Sequence, residues 1–537
     1  MEQKPPGCDV IIIGLGPTGL VLANLLGQRG WNVVGFEADT DVYYAPRAVH
    51  FDDEVMRIFQ EAGLHEAMIR SCEPFQDLEF TLKPGGKPVF KGKVGTQDRR
   101  YGFPGAWWFH QPTLERILRA GLERYRNVTP HYGASVTDIA QDDNSVTVTA
   151  AMPDGTPRSI TGRFAIGCDG GRSFTRKAAG LTLDSAEFDE PWIVVDTRTR
   201  SGKKEPTLPP NHFQCCDPRQ PVTYVPLAGP YYEWQFMVTD GKCEREATDP
   251  VYVRRKLRAF ADLSKLEIIR IAYYRFHALW ARSWRNGRIV LAGDSAHQTP
   301  PFLGQGMCSG IRDAESLSWR LDLALNGCRY ERLLNEYESE RSTHVQHLIK
   351  GAMFLGNRIQ TRSRVMAFLR NNLIFRPANL VPVLNRLFMT VANRKRPLAI
   401  PGGFFGSNRP RLAGHLFPQP MLTRPDGASI PLDEVIGQGF AIVAREGAFS
   451  QQSPELLELA GRLPIRLVTF GANASPDVML DHSGALHNWF KRAKVDFVLV
   501  RPDRYVYDAG RADQLSAVLK AFTSSFSALV EADGVAA

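Results

Sequence analysis

The sequence predicts an α/β protein with a parallel, doubly wound sheet, an inserted second sheet and a small C-terminal domain. Three observations predict this class. A strand, a glycine-rich turn, a helix and a second strand follow one another within the first forty residues. Runs of alternating β-type residues recur between about residues 75 and 280, and strand-like and helical segments alternate after residue 412. This order is typical of βαβ units interrupted by antiparallel strands.

The composition is that of a globular protein with several domains. A chain of 537 residues suggests about three to four units, and 43% hydrophobic with 23% charged residues excludes disorder, collagen and coiled coil. Eight cysteines form no CxxC, so neither a zinc site nor a disulfide framework is predicted. Because no apolar run reaches 18 residues and no signal peptide is recognisable, we expect a cytoplasmic protein without an integral membrane segment.

The first element is a βαβ unit with the turn of a dinucleotide site. Gly14 permits the tight turn, Gly16 lets backbone N–H groups approach a pyrophosphate, and Gly19 lets the helix pack close to the strand. Glu37 ends the second strand, where an acid accepts a hydrogen bond from a ribose hydroxyl. The residues expected to contact the dinucleotide are Gly14, Gly16, Pro17, Thr18, Gly19, Glu37 and Ala38. This unit predicts a Rossmann-like fold and leaves NAD and FAD open.

The remaining segments predict the domain organisation. Strand-like stretches include 144–150, 159–167, 192–196 and 232–238, and the periodicity is helical from about residue 313 to residue 392. We expect the nucleotide-binding fold at 1–75, about 100–180 and 282–345, and the inserted substrate sheet at 76–99 and 181–281. A helical connector and linker is expected at 346–412, and a small α/β domain at 413–537.

Two further glycine-rich segments accompany the βαβ unit. One is Asp169-Gly-Gly-Arg-Ser-Phe-Thr-Arg176, and the other runs from Gly293-Asp294 through Pro300-Pro301 to Gly304-Gln-Gly306. Together with GxGxxG they resemble the three fingerprints of the single-component FAD-dependent aromatic hydroxylases, the class A flavoprotein monooxygenases. Their order and separations match over roughly residues 8 to 345. The resemblance implies FAD as cofactor and, by the branch it favours, a thioredoxin-like C-terminal domain, here without CxxC.

The resemblance also implies further flavin contacts. Asp294 follows a buried strand, at the strand end where open α/β sheets bind ligands. Gly304 and Gly306 precede a helix, whose positive end favours the negative charge of a reduced flavin. The matching positions are Arg47, Gln111, Asp169, Gly170, Gly293, Asp294, Gly304, Gly306 and Met307.

The implied reaction is hydroxylation of a phenolic ring. NADH or NADPH reduces FAD, O2 forms a flavin C4a-hydroperoxide, and its distal oxygen passes to the ring. The resemblance favours an acid of the 3-(3-hydroxyphenyl)propionate type, hydroxylated ortho to give a catechol. Another phenol or a polyketide aromatic stays open as substrate, as does an FAD-binding dehydrogenase or a non-catalytic flavoprotein. No second GxGxxG with a ribose-binding acid follows, so we expect the nicotinamide to visit the flavin transiently.

A phenol reacts more readily with an electrophilic oxygen once it loses its proton, so a base or proton relay is expected. His50 and His212 are candidates because an unperturbed histidine titrates near neutrality. Pro301 matches a position whose carbonyl can face the substrate hydroxyl. No second ligand lies at metal spacing from His297, so no metal site is predicted.

The net charge of +8 comes from one segment. Residues 341–425 contain fourteen Lys and Arg and no Asp or Glu, which leaves −6 for the rest of the chain. No nucleic-acid-binding module accompanies the charge, so nucleic acid is not an expected partner. Three roles stay open: packing between domains or subunits, as in a homodimer, contact with a membrane surface, and attraction of an anionic cofactor or aromatic acid.

Overall fold

The structure is a computed structural model that describes residues 7–75, 77–93, 99–392, 403–408, 411–448, 465–472 and 478–529. The chain divides into two compact units. The first contains residues 1–98, 104–312 and 345–394, and the second contains 99–103, 313–344 and 395–537. The segment 313–344, which we expected within the nucleotide-binding fold, therefore groups with the C-terminal residues.

An eight-stranded sheet forms the centre of the first unit. Its main path runs β17-β18-β11-β1-β2-β8, and β10 pairs with β11 and β9. The strands are β1 (Cys8–Ile13), β2 (Val33–Glu37), β8 (Val128–Tyr132), β9 (Ser135–Gln141), β10 (Val146–Ala151), β11 (Pro157–Gly167), β17 (Arg285–Asn286) and β18 (Ile289–Leu291). β1 lies between the parallel strands β2 and β11. Its residues Val10, Ile11 and Ile12 are fully buried, as expected for a central strand covered on both faces.

A second eight-stranded sheet in the same unit is largely antiparallel, in the order β19-β16-β12-β15-β14-β13-β5-β6. Its strands are β5 (Asp77–Thr81), β6 (Phe90–Lys93), β12 (Leu183–Thr199), β13 (His212–Cys215), β14 (Val222–Pro226), β15 (Tyr231–Met237), β16 (Leu266–Ala281) and β19 (His297–Gln298). Trp234, Tyr224 and Phe213 pack on one face of it in a core of their own. A three-stranded sheet of β3 (His50–Asp52), β4 (Glu73–Pro74) and β7 (Ala106–Trp108) completes the strands of this unit among the described residues.

The helices begin at recognisable signals. Pro17 occupies the first turn of its helix directly after Gly16, and the Ser173 hydroxyl caps the helix that follows it. Those that precede the C-terminal domain are α1 (Pro17–Gln28), α2 (Asp53–Glu61), α3 (His65–Ser71), α4 (Gln111–Leu122), α5 (Phe174–Ala178), α6 (Glu244–Ala247), α7 (Pro250–Leu257), α8 (Gly306–Leu325), α9 (Tyr330–Ile359), α10 (Arg364–Leu369), α11 (Arg376–Leu380) and α12 (Pro382–Ala392). A π-helical segment, Arg370–Phe375, joins α10 to α11. The predicted connector is thus helical as far as residue 392, and the first residues of its linker lie outside the described residues.

The second unit contains a seven-stranded mixed sheet in the order β21-β20-β24-β23-β22-β25-β26. Its elements are β20 (Met421–Thr423), β21 (Ser429–Pro431), α13 (Leu432–Ile436), β22 (Phe440–Arg445), β23 (Ile465–Gly471), β24 (Val478–Leu480), α14 (Ala485–Ala493), β25 (Phe497–Val500), β26 (Val506–Gly510) and α15 (Leu515–Ser527). The strands β22, β23 and β24 are parallel, and β25 and β26 are antiparallel to their neighbours.

A fully buried ion network lies inside this second unit. Glu340 of α9 contacts Arg501 and Arg320 at 2.9 Å each. Burial opposes ionisation of Glu340, yet these two guanidinium groups hold its pKa at about 2. Asp503 also pairs with Arg501. The Glu340 carboxylate therefore remains charged, and the network joins residues more than 150 positions apart in the chain.

Candidate functional site

Thr18 is the point at which the three glycine motifs meet. A Cβ atom built on Gly293 would lie 2.7 Å from Thr18 Oγ1, and one built on Gly310 would collide with the same oxygen. Gly14 is equally close to the second motif, because its Cβ would lie 2.5 Å from the carbonyl oxygen of Cys168. Residues separated by almost 300 positions in the chain therefore converge at the carboxyl ends of the parallel strands.

The glycines of this site divide into two kinds. Gly14 has a φ of +93°, and a Cβ on Gly19 would strike the carbonyl oxygen of Gly14, so these two are required by the chain itself. Gly16 and Gly306 have no heavy atom within 4 Å of a Cβ. Packing within the protein therefore does not require glycine at these two positions. This fits a phosphate or ring system placed against the backbone.

The predicted ribose acceptor, Glu37, also orders the glycine turn. Its Oε2 accepts a hydrogen bond of 2.7 Å from Leu15 N–H, and its Oε1 accepts one of 3.1 Å from Asp39 N–H. Ala38 beside it is exposed. Because a carboxylate has about four acceptor positions, Glu37 retains capacity for a ribose hydroxyl while it holds the turn.

The second motif is held by its own polar side chains. Asp169 accepts from Ser173 Oγ at 2.5 Å and from Thr175 N–H at 2.8 Å. Arg176 donates to the carbonyl of Ser295 at 2.8 Å and thereby ties this motif to the third. Gly170 has a φ of +77° with open space around it. In the structure Asp169 therefore shapes the turn, and the open Gly170 is the better placed of the two for a cofactor contact.

The third motif leaves Asp294 exposed while its neighbours are buried. Ser295 Oγ donates to the carbonyl oxygen of Gly167 at 2.6 Å, which fixes the Gly293–Ser295 turn against β11. Gly293 has a φ of +63°, as this turn requires. Asp294 thus lies exposed on this turn at a strand end, and its contact with a ligand stays a prediction.

Arg47 and Gln111, distant in sequence, lie together. Gln111 Oε1 accepts from Arg47 N–H at 2.7 Å and from Ala48 N–H at 2.8 Å, and its amide donates to Glu115 at 2.7 Å. The Arg47 guanidinium lies 4.6 Å from the centre of the Tyr43 ring. Gln111 therefore positions the loop that carries Arg47.

His50 and His212 belong to one cluster of four rings. Phe75 and Trp108 lie between them, with ring centres 4.2 Å apart. The His50 ring is 6.0 Å from Phe75 and 5.8 Å from Trp108, and the His212 ring is 5.9 Å and 5.6 Å from the same two rings. The two histidines that sequence singled out separately thus flank the same aromatic surface.

Burial keeps both histidines neutral. It lowers the pKa of His50, and it lowers the pKa of His212 to about 3 with a further contribution from His50. A neutral imidazole accepts a hydrogen bond through one nitrogen and donates through the other. The pair can therefore accept a hydrogen bond from a phenol at neutral pH. Protonation of His212 at that pH is unfavourable, because its pKa lies well below neutrality.

The cluster adjoins the helix start of the third motif. A Cβ on Gly304 would lie 3.0 Å from His50 Nδ1, and the Cys308 thiol donates to the carbonyl oxygens of Gly304 and His50. The carbonyl oxygen of Pro301 accepts from Gly304 N–H at 2.8 Å, which leaves one of its lone pairs for another donor. Gly306 and Met307 form the first residues of α8, partly buried beside this turn.

Two buried charge clusters were not predicted. Arg312 of α8 pairs with Asp52 and, at 2.8 Å, with Glu54, so it fixes α8 to the strand that carries His50. Arg270 pairs with Asp196 at 2.6 Å. The three consecutive acids at 52–54 were a usable signal for the first cluster, because so many charges at a helix start call for a cation.

Within the part of the chain that the structure describes, no group of three or more His, Cys, Asp or Glu side chains could hold a metal ion. None of the described helices combines the length and the apolar character needed to cross a bilayer. The eight cysteines are all free.

Two family models match the chain. Residues 7–352 match the model described as FAD binding domain, and residues 414–525 match the model described as HcaD C-terminal domain. The first match covers the three glycine motifs and both candidate histidines.

Curated relatives match over nearly the whole chain. It is 33% identical over 535 residues to a 3-(3-hydroxy-phenyl)propionate/3-hydroxycinnamic acid hydroxylase of Mycolicibacterium smegmatis, covering 96% of this chain and 93% of the relative. It is 32% identical over 532 residues to a Rhodococcus jostii protein named "Probable NADH-specific resorcinol 4-hydroxylase", covering 96% of each.

Solved structures share the fold. A flavin-dependent monooxygenase, PieE, in complex with FAD and substrate superposes with a TM-score of 0.78 at 18% identity, covering 98% of this chain and 100% of that one. Aklavinone-11 hydroxylase, in a ternary complex with FAD and aklavinone, gives a TM-score of 0.77 at 21% identity, with coverage of 97% and 100%.

Proposed function

The chain belongs to the family of FAD-binding-domain aromatic hydroxylases, and from this premise we propose that it hydroxylates a phenolic acid of the 3-(3-hydroxyphenyl)propionate type, ortho to the phenol, to give a catechol. It is an FAD-dependent monooxygenase that consumes NAD(P)H and O2. The single observation that carries the phenolic character of the substrate is the cluster of His50, His212, Phe75 and Trp108 beside Gly304.

The residues of the three motifs fit FAD. We propose that the open backbone at Gly16 takes the pyrophosphate, that Glu37 takes the ribose, and that Asp294 takes the ribityl chain. FAD, when bound, supplies the redox chemistry that links NAD(P)H, O2 and the aromatic ring. The start of α8 at Gly306 presents free N–H groups and a positive dipole end, which stabilise negative charge on such a group.

The chain's own part in the reaction is to hold the phenol and manage its proton. Phe75 and Trp108 are the aromatic side chains beside which we propose that the substrate ring packs. We propose that His50, whose pKa burial lowers, accepts the phenolic hydrogen bond, and that His212 completes the cluster beyond the two rings. Because the surrounding side chains are apolar, they exclude water from the reacting atoms.

Resorcinol is the second candidate substrate. The Rhodococcus jostii relative, 32% identical over nearly the full length, carries a resorcinol 4-hydroxylase name. Resorcinol has no acid side chain, and the four-ring cluster would accept its hydroxyl in the same way. The choice between the two depends on whether the enzyme gains affinity from a carboxylate.

A panel of phenols tests both candidates. The FAD-loaded enzyme is given 3-(3-hydroxyphenyl)propionate, 3-hydroxycinnamate, resorcinol and 3-phenylpropionate, and NAD(P)H oxidation, O2 uptake and product mass are recorded. We expect a product one oxygen atom heavier from 3-(3-hydroxyphenyl)propionate, and none from 3-phenylpropionate, which lacks the hydroxyl. A preference for resorcinol would show that resorcinol, and not the phenolic acid, is the substrate. Substrate oxidation without O2 uptake would indicate a dehydrogenase.

A further inference from the structure

The exposed apolar side chains of this protein are concentrated in one place. The described residues include 18 large hydrophobic side chains that are exposed, and 12 of them lie between Phe354 and Leu387. They occupy the end of α9, then α10, the π-helical segment, α11 and α12, all within the first unit. We call this surface the platform face; its members are Phe354, Val365, Met366, Phe368, Leu369, Leu373, Ile374, Leu380, Val381, Val383, Leu384 and Leu387.

The opposite side of these helices is firmly packed. Phe375 contacts Phe80 of β5 at a ring distance of 4.7 Å, and Phe388 contacts Phe90 of β6 at 4.8 Å. The buried Arg370 guanidinium donates to the carbonyl oxygens of Ile359 at 2.6 Å and of Cys216 at 2.9 Å. The helices are thus fixed to the second sheet by their inner side, and folding does not account for the apolar character of the outer side.

The platform face carries positive charge among its apolar side chains. Lys350, Arg358, Arg362, Arg364, Arg376 and Arg386 are exposed, and the segment 341–425 contains no acidic residue. Of the acids on and near the supporting strands, Glu79 pairs with Lys91 at 2.8 Å and Asp217 pairs with Arg219 at 2.9 Å. The surface is therefore both apolar and cationic.

We propose that the platform face docks on an anionic lipid membrane. Short helices with exposed apolar side chains and Lys or Arg around them lie in the membrane interface, where the apolar groups enter the acyl boundary and the cations meet lipid headgroups.

A second copy of the chain is the competing occupant. In a two-fold symmetric contact the same patch faces itself, so the basic residues of both copies would meet without an acid to pair with. Like charges brought together across an interface oppose association. The charge of the platform face therefore favours an anionic partner over self-association.

The test uses the full-length FAD-loaded enzyme and sedimentation with vesicles. We expect binding to vesicles of equimolar phosphatidylcholine and phosphatidylglycerol, weak binding to phosphatidylcholine alone, and reduced binding at high salt. The triple variant Leu373→Ser, Leu380→Ser, Val383→Ser alters side chains that are 69%, 78% and 72% exposed, so it should fold normally. It should lower the partition coefficient at least about tenfold.

Two further variants make the experiment specific. Lys350→Gln, Arg364→Gln, Arg376→Gln should weaken binding to the anionic vesicles by at least about tenfold. The matched control Ile69→Ser, Val251→Ser, Met421→Ser removes exposed apolar side chains elsewhere and should leave binding unchanged. The proposal would be overturned if the enzyme did not bind vesicles or bound both vesicle types equally. It would also be overturned if the Leu373→Ser, Leu380→Ser, Val383→Ser variant bound vesicles as well as the wild type. The same holds for an oligomer, detected by ultracentrifugation without lipid, that only this variant dissociates.

Discussion

Arg270 Nε lies 2.6 Å from Asp196 Oδ2, and the same guanidinium donates to the carbonyl oxygen of Pro46. The pair connects two neighbouring strands of the second sheet with the loop that carries Arg47. Burial raises the pKa of Asp196 to about 6 even though Arg270 opposes that shift. Arg270 is thus a positioning residue between the second sheet, predicted to bind substrate, and the predicted flavin-contacting loop.

Replacing Arg270 by Gln should lower the free energy of unfolding by about 3 kcal/mol, because Asp196 and the Pro46 carbonyl lose a buried partner. The measurement is urea denaturation of the FAD-loaded protein. Arg198→Gln provides the control, since the Arg198–Glu267 pair is about half exposed and should contribute far less to stability than the buried pair. Equal losses in the two variants would contradict a special role for Arg270.

Glu233 predicts a pH dependence of stability. Burial raises the pKa of this carboxyl from 4.5 to about 8, so the folded state keeps a proton that the unfolded chain releases. Stability should therefore fall as the pH rises between about 4.5 and 8, by at most about 1.4 kcal/mol per unit. Glu233→Gln removes this titration. Denaturation midpoints across the interval should decline less steeply in the variant, and parallel declines would refute the assignment.

Gly16 and Gly19 are predicted to differ in what occupies the space beside them: the cofactor beside Gly16, and the protein itself beside Gly19. Gly16→Ala adds a methyl group where the protein offers no neighbour, whereas Gly19→Ala drives one into the Gly14 carbonyl. We expect Gly16→Ala to retain its thermal stability as apoprotein and to bind FAD at least about tenfold more weakly. Gly19→Ala should lose both properties. Flavin absorbance and apoprotein melting temperature distinguish these outcomes, and normal FAD affinity in Gly16→Ala would argue against a pyrophosphate there.

The histidine cluster predicts that a substitution of His50 impairs the reaction of the phenol but not the binding of flavin. His50→Phe should lower kcat/KM for the phenol about a hundredfold and leave flavin content unchanged, with NAD(P)H oxidation continuing without product. His110→Phe is the control, because His110 stacks on Tyr231 at 4.0 Å and is not a member of the four-ring cluster. Coupling is the ratio of product formed to NAD(P)H consumed. Full coupling in His50→Phe would exclude His50 from the reaction.

The histidine pKa values also predict the pH profile. Because burial lowers both from 6.5, protonation of either residue should reduce kcat/KM only below pH 6.5. The profile of the wild-type enzyme should therefore be level from that value through neutrality. A rise with a midpoint above 7 would point to a different proton acceptor.

The local motifs were predictable because glycine spacing dictates local geometry. Gly14 and Gly19 lie where the βαβ rule places them, and the strands at 159–167 and 192–196 were visible as strand-like stretches. The proximity of His50 to His212 was not, because it depends on β3 pairing with β7 and β13 pairing with β5. No pattern within the chain encodes those long-range registers.

The sequence also did not predict which face of each helix is buried. The segment 341–392 was recognised as helical and basic, but periodicity does not show which apolar side of a helix is covered. Arg370 illustrates the limit. Its charge suggested a surface position, whereas it is buried and satisfied by three backbone carbonyls.

The ion network of Glu340, Arg320 and Arg501 bears on whether the C-terminal domain can exist as a separate piece of protein. Arg501 lies inside that domain, while both Glu340 and Arg320 lie more than 70 positions before it begins. A fragment that started near residue 413 would expose a guanidinium with half of its counter-charge removed. We therefore expect the domain to need α8 and α9 for its full stability.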